Sequence, residues 1–123
     1  MNSARALATA GLLLALATVC GAFGAHALKA HLSPERLQLW DTAVRYQFFQ
    51  ALGLIGVGLT MRTLDGSLVH AAATLLVVGV VLFSGSLYAL SLGAPRLVGI
   101  LTPIGGLAWI AAWLIYAWAV WRR

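Results

Sequence analysis

Residues Gly21–Gln50 read GAFGAHALKAHLSPERLQLWDTAVRYQFFQ, and they hold two of the three acidic residues and two of the three histidines of the chain. Both ends of this stretch are apolar or small, as in membrane helices, whereas its middle is polar. Ser33 can cap a helix, Pro34 suits the first helical position, and Glu35 lies near the positive end of the helix dipole. The stretch therefore predicts that one helix ends, the chain turns, and a second helix begins near Pro34.

The composition of the whole chain is that of a protein surrounded by lipid. Of its 123 residues, 62% are hydrophobic and 9% are charged, and the mean hydropathy is +0.94. A water-soluble domain of this length needs more polar surface. The formal net charge of +5 comes from basic residues scattered at the ends of apolar runs, where membrane helices carry flanking charge. Because they form no continuous basic face, we expect no nucleic-acid partner.

Four apolar stretches are long enough to cross a hydrocarbon core of about 30 Å at about 1.5 Å per residue. They predict one integral membrane domain, residues 1–123, with an all-α fold. The predicted fold is a four-span transmembrane helical bundle, with spans at about 5–27, 43–61, 68–92 and 97–121. Residues 34–45 form an interfacial amphipathic segment that leads into helix 2, with Trp40 as an interfacial anchor. Asp41 and Arg45 stand in the order that favours an ion pair along a helix.

Small and polar residues predict which helix faces pack together. The predicted packing face of helix 1 consists of Gly11, Thr18, Gly21, Ala22 and Ala25. A stripe on helix 3 should face protein or a wet cavity rather than lipid, and it consists of His70, Thr74, Val77, Val81, Ser84, Tyr88 and Ser91. Pro103 should kink helix 4 in its first third, because proline lacks a backbone N–H.

Ten polar side chains form a candidate seam inside the predicted bundle: His26, Asp41, Arg45, Tyr46, Gln47, Gln50, Ser84, Ser86, Tyr88 and Thr102. The ordinary role of such side chains is hydrogen bonding between helices. A conduction path is the other role left open. His26, at the end of helix 1, is either a hydrogen-bonded structural histidine or a contact for a proton or a ligand.

No set of residues has the pattern of a catalytic or cofactor site. The chain contains no H-E-x-x-H, no G-x-S-x-G and no phosphate-binding glycine loop. We therefore expect no enzymatic activity, no metal and no cofactor. The favoured role is structural or accessory, as membrane stabilisation, lipid binding or assembly with itself or other membrane proteins. The alternative is an oligomeric channel or transporter for a small ion or solute.

The N-terminal stretch leaves two points open. A cleaved signal peptide would use Arg5 and the small residues around His26, although the apolar run is longer than an ordinary signal sequence. A lipoprotein site at Cys20 fits poorly because Val19 is not small. The basic residues that flank the spans divide equally between the two sides of the membrane. If Arg45 is withdrawn into the bundle, the count favours cytoplasmic N- and C-termini.

Four motifs in order over nearly the whole chain carry a resemblance: Gly21–His26, Trp40–Leu52, Phe83–Tyr88 and Thr102–Gly106. The chain resembles the small YgdD-like inner-membrane proteins, a domain-of-unknown-function family that is also similar to eukaryotic transmembrane protein 256. The resemblance implies a four-span helical protein of the bacterial inner membrane, without a particular biochemistry. Many members of that family have a histidine where this chain has Gln50. Because glutamine does not titrate and is a poor metal ligand, this departure weakens any metal site or proton relay with His26.

Overall fold

The computed structural model describes all 123 residues and contains helices and turns but no strand. The four long helices are α1 (Ser3–His26), α2 (Pro34–Thr60), α3 (Ser67–Ser91) and α4 (Leu101–Trp121). A short 3-10 turn, Leu28–Ala30, lies between α1 and α2, and another, Arg96–Ile100, leads directly into α4. The predicted all-α class is confirmed.

Three helical segments are long and apolar enough to cross a membrane: Ser3–Ala30, Ser67–Ser91 and Arg96–Trp121. The helix α2 has 27 residues and is not among them. Charged and amide side chains along its first two thirds lower its hydropathy.

The helices that follow one another in the chain are the ones whose backbones approach most closely. Hydrogen bonds at both ends fix the antiparallel pair of α1 and α2. Near one end, Ser3 Oγ donates to the carbonyl oxygen of Gly58 (2.8 Å), and near the other, Trp40 Nε1 donates to that of Cys20 (2.8 Å). These two bonds hold α1 and α2 side by side over almost their full length.

The face of α1 that packs is not the predicted one. The buried residues of α1 are Ala6, Ala10, Ala17 and Gly24. The exposed residues include Gly11, Thr18, Ala22 and Ala25, so only Gly21 of the predicted face is in contact with α2. Small residues occur on both sides of α1, and the large side chains of α2 decide which of the two sides packs. A β-carbon on Gly24 would lie 2.6 Å from the ring of Trp40, which fills the space that the glycine leaves.

Trp40 is a core residue and not an interfacial anchor. Its side chain is 7% exposed and forms a small core with Leu28 and Val44. The ring of Tyr88, from α3, packs edge-on against it with 4.6 Å between centroids. Trp40 therefore joins α1, α2 and α3 at one end of the bundle.

The stripe predicted on α3 holds only in the second half of the helix. Ser84 and Ser91 are fully buried, as predicted, whereas Thr74 and Val81 are exposed. In the first half the buried residues include Val69, Ala73, Leu76 and Val80, each one position before a residue of the predicted stripe. A π-helical turn, Val80–Ser84, separates the two halves. Such a turn adds one residue to the helix. The buried positions nevertheless continue across it at Val80, Ser84, Leu87 and Ser91, so the predicted stripe was displaced by one residue only in the first half.

Pro103 lies in the first turn of α4, directly after the 3-10 turn Arg96–Ile100. The N–H groups of a first turn have no partner within the α-helix, so the missing N–H of Pro103 removes no hydrogen bond from it. The predicted reason for a kink inside helix 4 therefore does not apply. The backbone instead changes from 3-10 to α geometry at Leu101.

Candidate functional site

Gln47 joins three helices in the interior of the bundle. Its side chain is 4% exposed. Its Nε2 donates to the carbonyl oxygen of Leu13 in α1 (2.8 Å), and its Oε1 accepts from Tyr88 Oη in α3 (2.7 Å). Every buried side-chain nitrogen and oxygen in the protein has a hydrogen-bond partner. Gln47 is thus a structural junction whose hydrogen-bonding groups are already used.

The predicted hydroxyl groups also bond within the bundle. Ser84 Oγ donates to the carbonyl oxygen of Ala43 (2.8 Å), which ties α3 to α2. Ser86 Oγ and Thr102 Oγ1 form a hydrogen bond that ties α3 to α4. Hydrogen bonds of this kind contribute about 0.6 kcal/mol each on average in membrane proteins. With Gln47 and Tyr88, these groups form a set of interhelical contacts rather than a lined passage.

Three residues of the predicted seam do not lie inside the bundle. His26, Asp41 and Arg45 are exposed, and none of them makes a side-chain hydrogen bond. Asp41 and Arg45 form no ion pair, although their spacing favours one. His26 makes no hydrogen bond within the protein, so the two roles predicted for it stay predictions.

The one ion pair of the protein joins His70 Nε2 to Asp65 Oδ1 (2.7 Å) beside the turn between α2 and α3. The hydrogen bond from His70, helped by one from the backbone N–H of Gly66, lowers the pKa of the Asp65 carboxyl below its ordinary value of 3.8. No three side chains of His, Cys, Asp or Glu come together in a group that could hold a metal ion.

The last two residues of the seam, Tyr46 and Gln50, line a groove of about 480 Å³ between α2, α3 and α4. The other lining residues are Phe83, Gly106, Trp109, Ile110, Trp113 and Leu114. Trp113 Nε1 donates to Gln50 Oε1 (2.9 Å), so the amide is held in place from across the groove. We call this feature the central groove.

Three aromatic rings form one wall of the central groove. The ring centroids of Phe83 and Trp109 are 4.6 Å apart, and those of Tyr46 and Phe83 are 5.2 Å apart. The ring of Tyr46 is nearly parallel to that of Trp109, at 12°. The wall follows from the π-helical turn of α3, which contains Phe83 and places its ring beside α4.

The sequence pattern did not reveal that Trp109 and Trp113 of α4 meet Tyr46 and Gln50 of α2. A glycine on α2 gives the missing signal. A β-carbon on Gly53 would collide with the ring of Trp113. Here a glycine of one helix lies opposite a tryptophan of another. The periodicity of residues within one helix cannot reveal such a pairing.

These features define a class: a small helical membrane protein whose buried polar groups tie helices together and whose central groove opens at the surface. The chain belongs to the family described as Protein of unknown function (DUF423), whose model matches residues 20–106. No solved structure matches the chain.

Curated relatives bear the same membrane description. A UPF0382 membrane protein of Staphylococcus haemolyticus is 50% identical over 95 residues, 77% of each chain. The UPF0382 membrane protein YwdK of Bacillus subtilis is 44% identical over 101 residues, 81% of this chain and 82% of its own. The UPF0382 inner membrane protein YgdD of Escherichia coli is 36% identical over 95 residues, 77% and 72% of the two chains. Together with the three apolar helices, these names confirm the predicted family and membrane localisation. The likeness to eukaryotic transmembrane protein 256 stays a prediction.

Proposed function

We propose that this protein crosses the membrane four times and has a non-enzymatic, accessory role, assembling with itself or with another membrane protein. The observation that carries the proposal is the exposure of Asp41 and Arg45, which form no ion pair within the protein, on the surface of α2. A channel has less support, because the hydroxyls of Ser84, Ser86 and Thr102 are taken up by bonds within the bundle.

The fourth span in this proposal is α2. It lies between α1 and α3, both of which are apolar enough to span, and it is antiparallel to each. Its hydrogen bonds with α1, from Trp40 at one end and to Gly58 at the other, support placing both helices at the same depth. The charged first turns, Pro34–Arg45, then extend from the interface inward with Trp40 on the packed side.

The depth of Arg45 follows from its neighbours in α2. The side chain of Val44 lies 3.4 Å from the β-carbon position of Gly21, and Gln47 Nε2 bonds the carbonyl oxygen of Leu13. Gly21 and Leu13 both lie inside the apolar stretch of α1. Arg45 is therefore level with hydrocarbon, and its side chain is on the outer surface.

The charged side chain of Arg45 on the outer surface of α2 requires a partner at this depth. Ionisable side chains within spans almost always pair or face the interior of a bundle, because lipid cannot solvate them. The exposed surface that continues from Asp41 and Arg45 includes Phe49 (55% exposed) and Leu52 (56% exposed). We define these four residues as the outer face of α2. Opposite charges one helical turn apart make this face complementary to a partner that carries the same arrangement.

Native mass spectrometry after release from a mild detergent tests the proposal. We expect a defined oligomer or a defined complex with another membrane protein, and we expect it to dissociate in the Asp41→Asn/Arg45→Gln variant. A matched control, Leu107→Ala on the exposed surface of α4, should leave it intact. A monomer in every case would contradict the proposal and indicate that Arg45 extends along the surface to the headgroups.

The membrane orientation is part of the proposal. With four spans, the two termini and the turn between α2 and α3 share one side. The basic residues on that side are Arg5, Arg62, Arg122 and Arg123, and those on the other side are Lys29, Arg36 and Arg96. Arg45 belongs to neither group at the depth argued above, so the majority favours cytoplasmic termini. Labelling of single cysteines placed at Thr63 and Ala94 from each side of the membrane distinguishes the two orientations.

A further inference from the structure

The central groove has the composition of a site for a neutral, lipid-soluble ligand. Its volume of about 480 Å³ falls in the range of small-molecule sites, and six of its eight lining residues are hydrophobic. No charged side chain lines it. An anionic or cationic headgroup would find no counter-charge there.

Two polar side chains that line the groove, Tyr46 and Gln50, can donate hydrogen bonds to a ligand. Trp113 Nε1–H can only donate, so the amide oxygen of Gln50 must face it, and Gln50 Nε2 is left for the groove. The other indole of the groove, Trp109 Nε1, is occupied by the carbonyl oxygen of Leu76 (3.1 Å). Tyr46 Oη makes no hydrogen bond within the protein, and the Tyr46 side chain is 40% exposed. Gln50 Nε2 can only donate and Tyr46 Oη can also donate, so a ligand with two acceptor oxygens would satisfy both groups.

The depth of the groove narrows the choice of ligand. Tyr46 and Gln50 lie near the middle of α2, and Trp109 and Trp113 lie near the middle of α4. The ester carbonyls of phospholipids lie near the headgroups, more than about 10 Å from the centre of a core of about 30 Å. An acyl chain in the groove would leave the two donors unpaired in hydrocarbon, which is unfavourable.

We propose that the central groove binds the ring of an isoprenoid quinone. Such a ring is planar, neutral and soluble in the bilayer core, and its carbonyl oxygens accept the hydrogen bonds that Tyr46 Oη and Gln50 Nε2 offer. The aromatic wall that includes Phe83 and Trp109 gives the ring a surface to stack against. The proposal concerns binding alone; it rests on the proposed crossing of the membrane by α2 but not on assembly through the outer face of α2.

Infrared difference spectroscopy in lipid nanodiscs tests this proposal. The probe is a short-chain menaquinone with carbon-13 in its ring carbonyls. We expect the carbonyl band to move to lower frequency in discs that contain the protein, compared with discs that contain lipid alone. Tyr46→Phe and Gln50→Met should each reduce that shift and weaken binding about threefold to tenfold, since each removes one hydrogen bond.

The chain offers a matched control for the tyrosine. Tyr116 belongs to α4, bonds Thr60 through its hydroxyl (2.8 Å) and does not line the groove, so Tyr116→Phe should leave the carbonyl shift unchanged. If Gln50→Met disturbs the fold through loss of its bond to Trp113, Tyr46→Phe alone decides, because Tyr46 Oη bonds nothing in the protein.

Several outcomes would overturn the proposal. One is an unshifted carbonyl band with the wild-type protein. Another is a shift that survives both donor substitutions, and a third is equal binding of an isoprenyl naphthalene that lacks the carbonyls. Native mass spectra in which a phospholipid or a fatty acid is retained and is not displaced by the quinone would assign the groove to that lipid instead.

Discussion

The hydroxyl of Tyr88 donates a 2.7 Å hydrogen bond to the side-chain oxygen of Gln47, and the amide nitrogen of Gln47 donates onward to the backbone of Leu13. One side chain thereby links α1, α2 and α3 in a region where lipid surrounds the bundle. Its donor and acceptor cannot both be satisfied unless all three helices are in register. The Tyr88–Gln47 contact therefore reports on the correct assembly of the bundle.

Removing the Tyr88 hydroxyl should destabilise the protein. We expect Tyr88→Phe to lower the free energy of unfolding by about 0.5–2 kcal/mol, because it leaves Gln47 Oε1 without a donor. A double-mutant cycle with Gln47→Met, measured by unfolding in mixed micelles, should give a coupling energy of about 0.6 kcal/mol or more. Coupling indistinguishable from zero would mean that the two side chains do not interact.

Glycine substitutions should separate packed from open positions. A β-carbon on Gly105 would lie 2.5 Å from the backbone nitrogen of Phe83, and one on Gly24 would lie 2.6 Å from Trp40. We expect Gly105→Ala and Gly24→Ala to destabilise the protein by about 1–3 kcal/mol. The matched control is Gly11→Ala, where nothing lies within 4 Å. There alanine should be neutral or stabilising by up to about 1 kcal/mol, since it favours the helix. Equal melting temperatures for all three variants would contradict the contacts of Gly24 with Trp40 and of Gly105 with Phe83.

Neutralising Asp41 and Arg45 together should change the stability of a single chain little. Both side chains are exposed and unpaired within the protein. We expect the Asp41→Asn/Arg45→Gln variant to unfold within about 1 kcal/mol of the wild type in dilute detergent. A loss of about 3–5 kcal/mol, the size expected for a broken buried pair, would show that these charges pack inside the chain.

The Asp65 carboxyl should titrate abnormally. Its pKa is lowered, so the contact with His70 contributes stability above the ordinary value of 3.8 and loses it as the pH falls through the lowered pKa. A carbon-13 NMR titration should place the midpoint of Asp65 below 3.8 in the wild type and nearer to 3.8 in His70→Ala. Identical midpoints in the two proteins would contradict the assigned cause.

Local chemistry explains which helix boundaries could be predicted. The start of α2 was predicted from Ser33 and Pro34, and Ser33 Oγ accepts from the backbone N–H of Arg36 (3.3 Å). A helix cap depends only on residues within one turn, so the local sequence is enough to predict it. The packed face of α1 depends on Trp40, sixteen residues beyond Gly24, and helix periodicity contains no such information.

The sequence predicted several residues of the candidate site but not how they are arranged. Gln47, Ser84, Ser86, Tyr88 and Thr102 do face other helices, because polar side chains in lipid-exposed positions are unfavourable. The same rule predicted Arg45 inside the bundle, where the structure does not place it. The rule concerns a complete assembly, and a single chain can leave a charge on its surface for a partner to cover. The sequence also could not predict which polar side chains bond to other helices and which line the central groove. That difference depends on the π-helical turn of α3.

The close approach of helices that are neighbours in the chain has a consequence for biosynthesis. In the proposed four-span arrangement α1 enters the bilayer before α2, so the backbone carbonyls of Leu13 and Cys20 are in place as acceptors when α2 follows. Gln47 and Trp40 can take up those bonds at once, so the least apolar helix need not enter lipid alone. The helices are thus synthesised in the order in which their polar groups gain hydrogen-bond partners. This order allows the chain to place the side-chain amide of Gln47 in the bilayer interior.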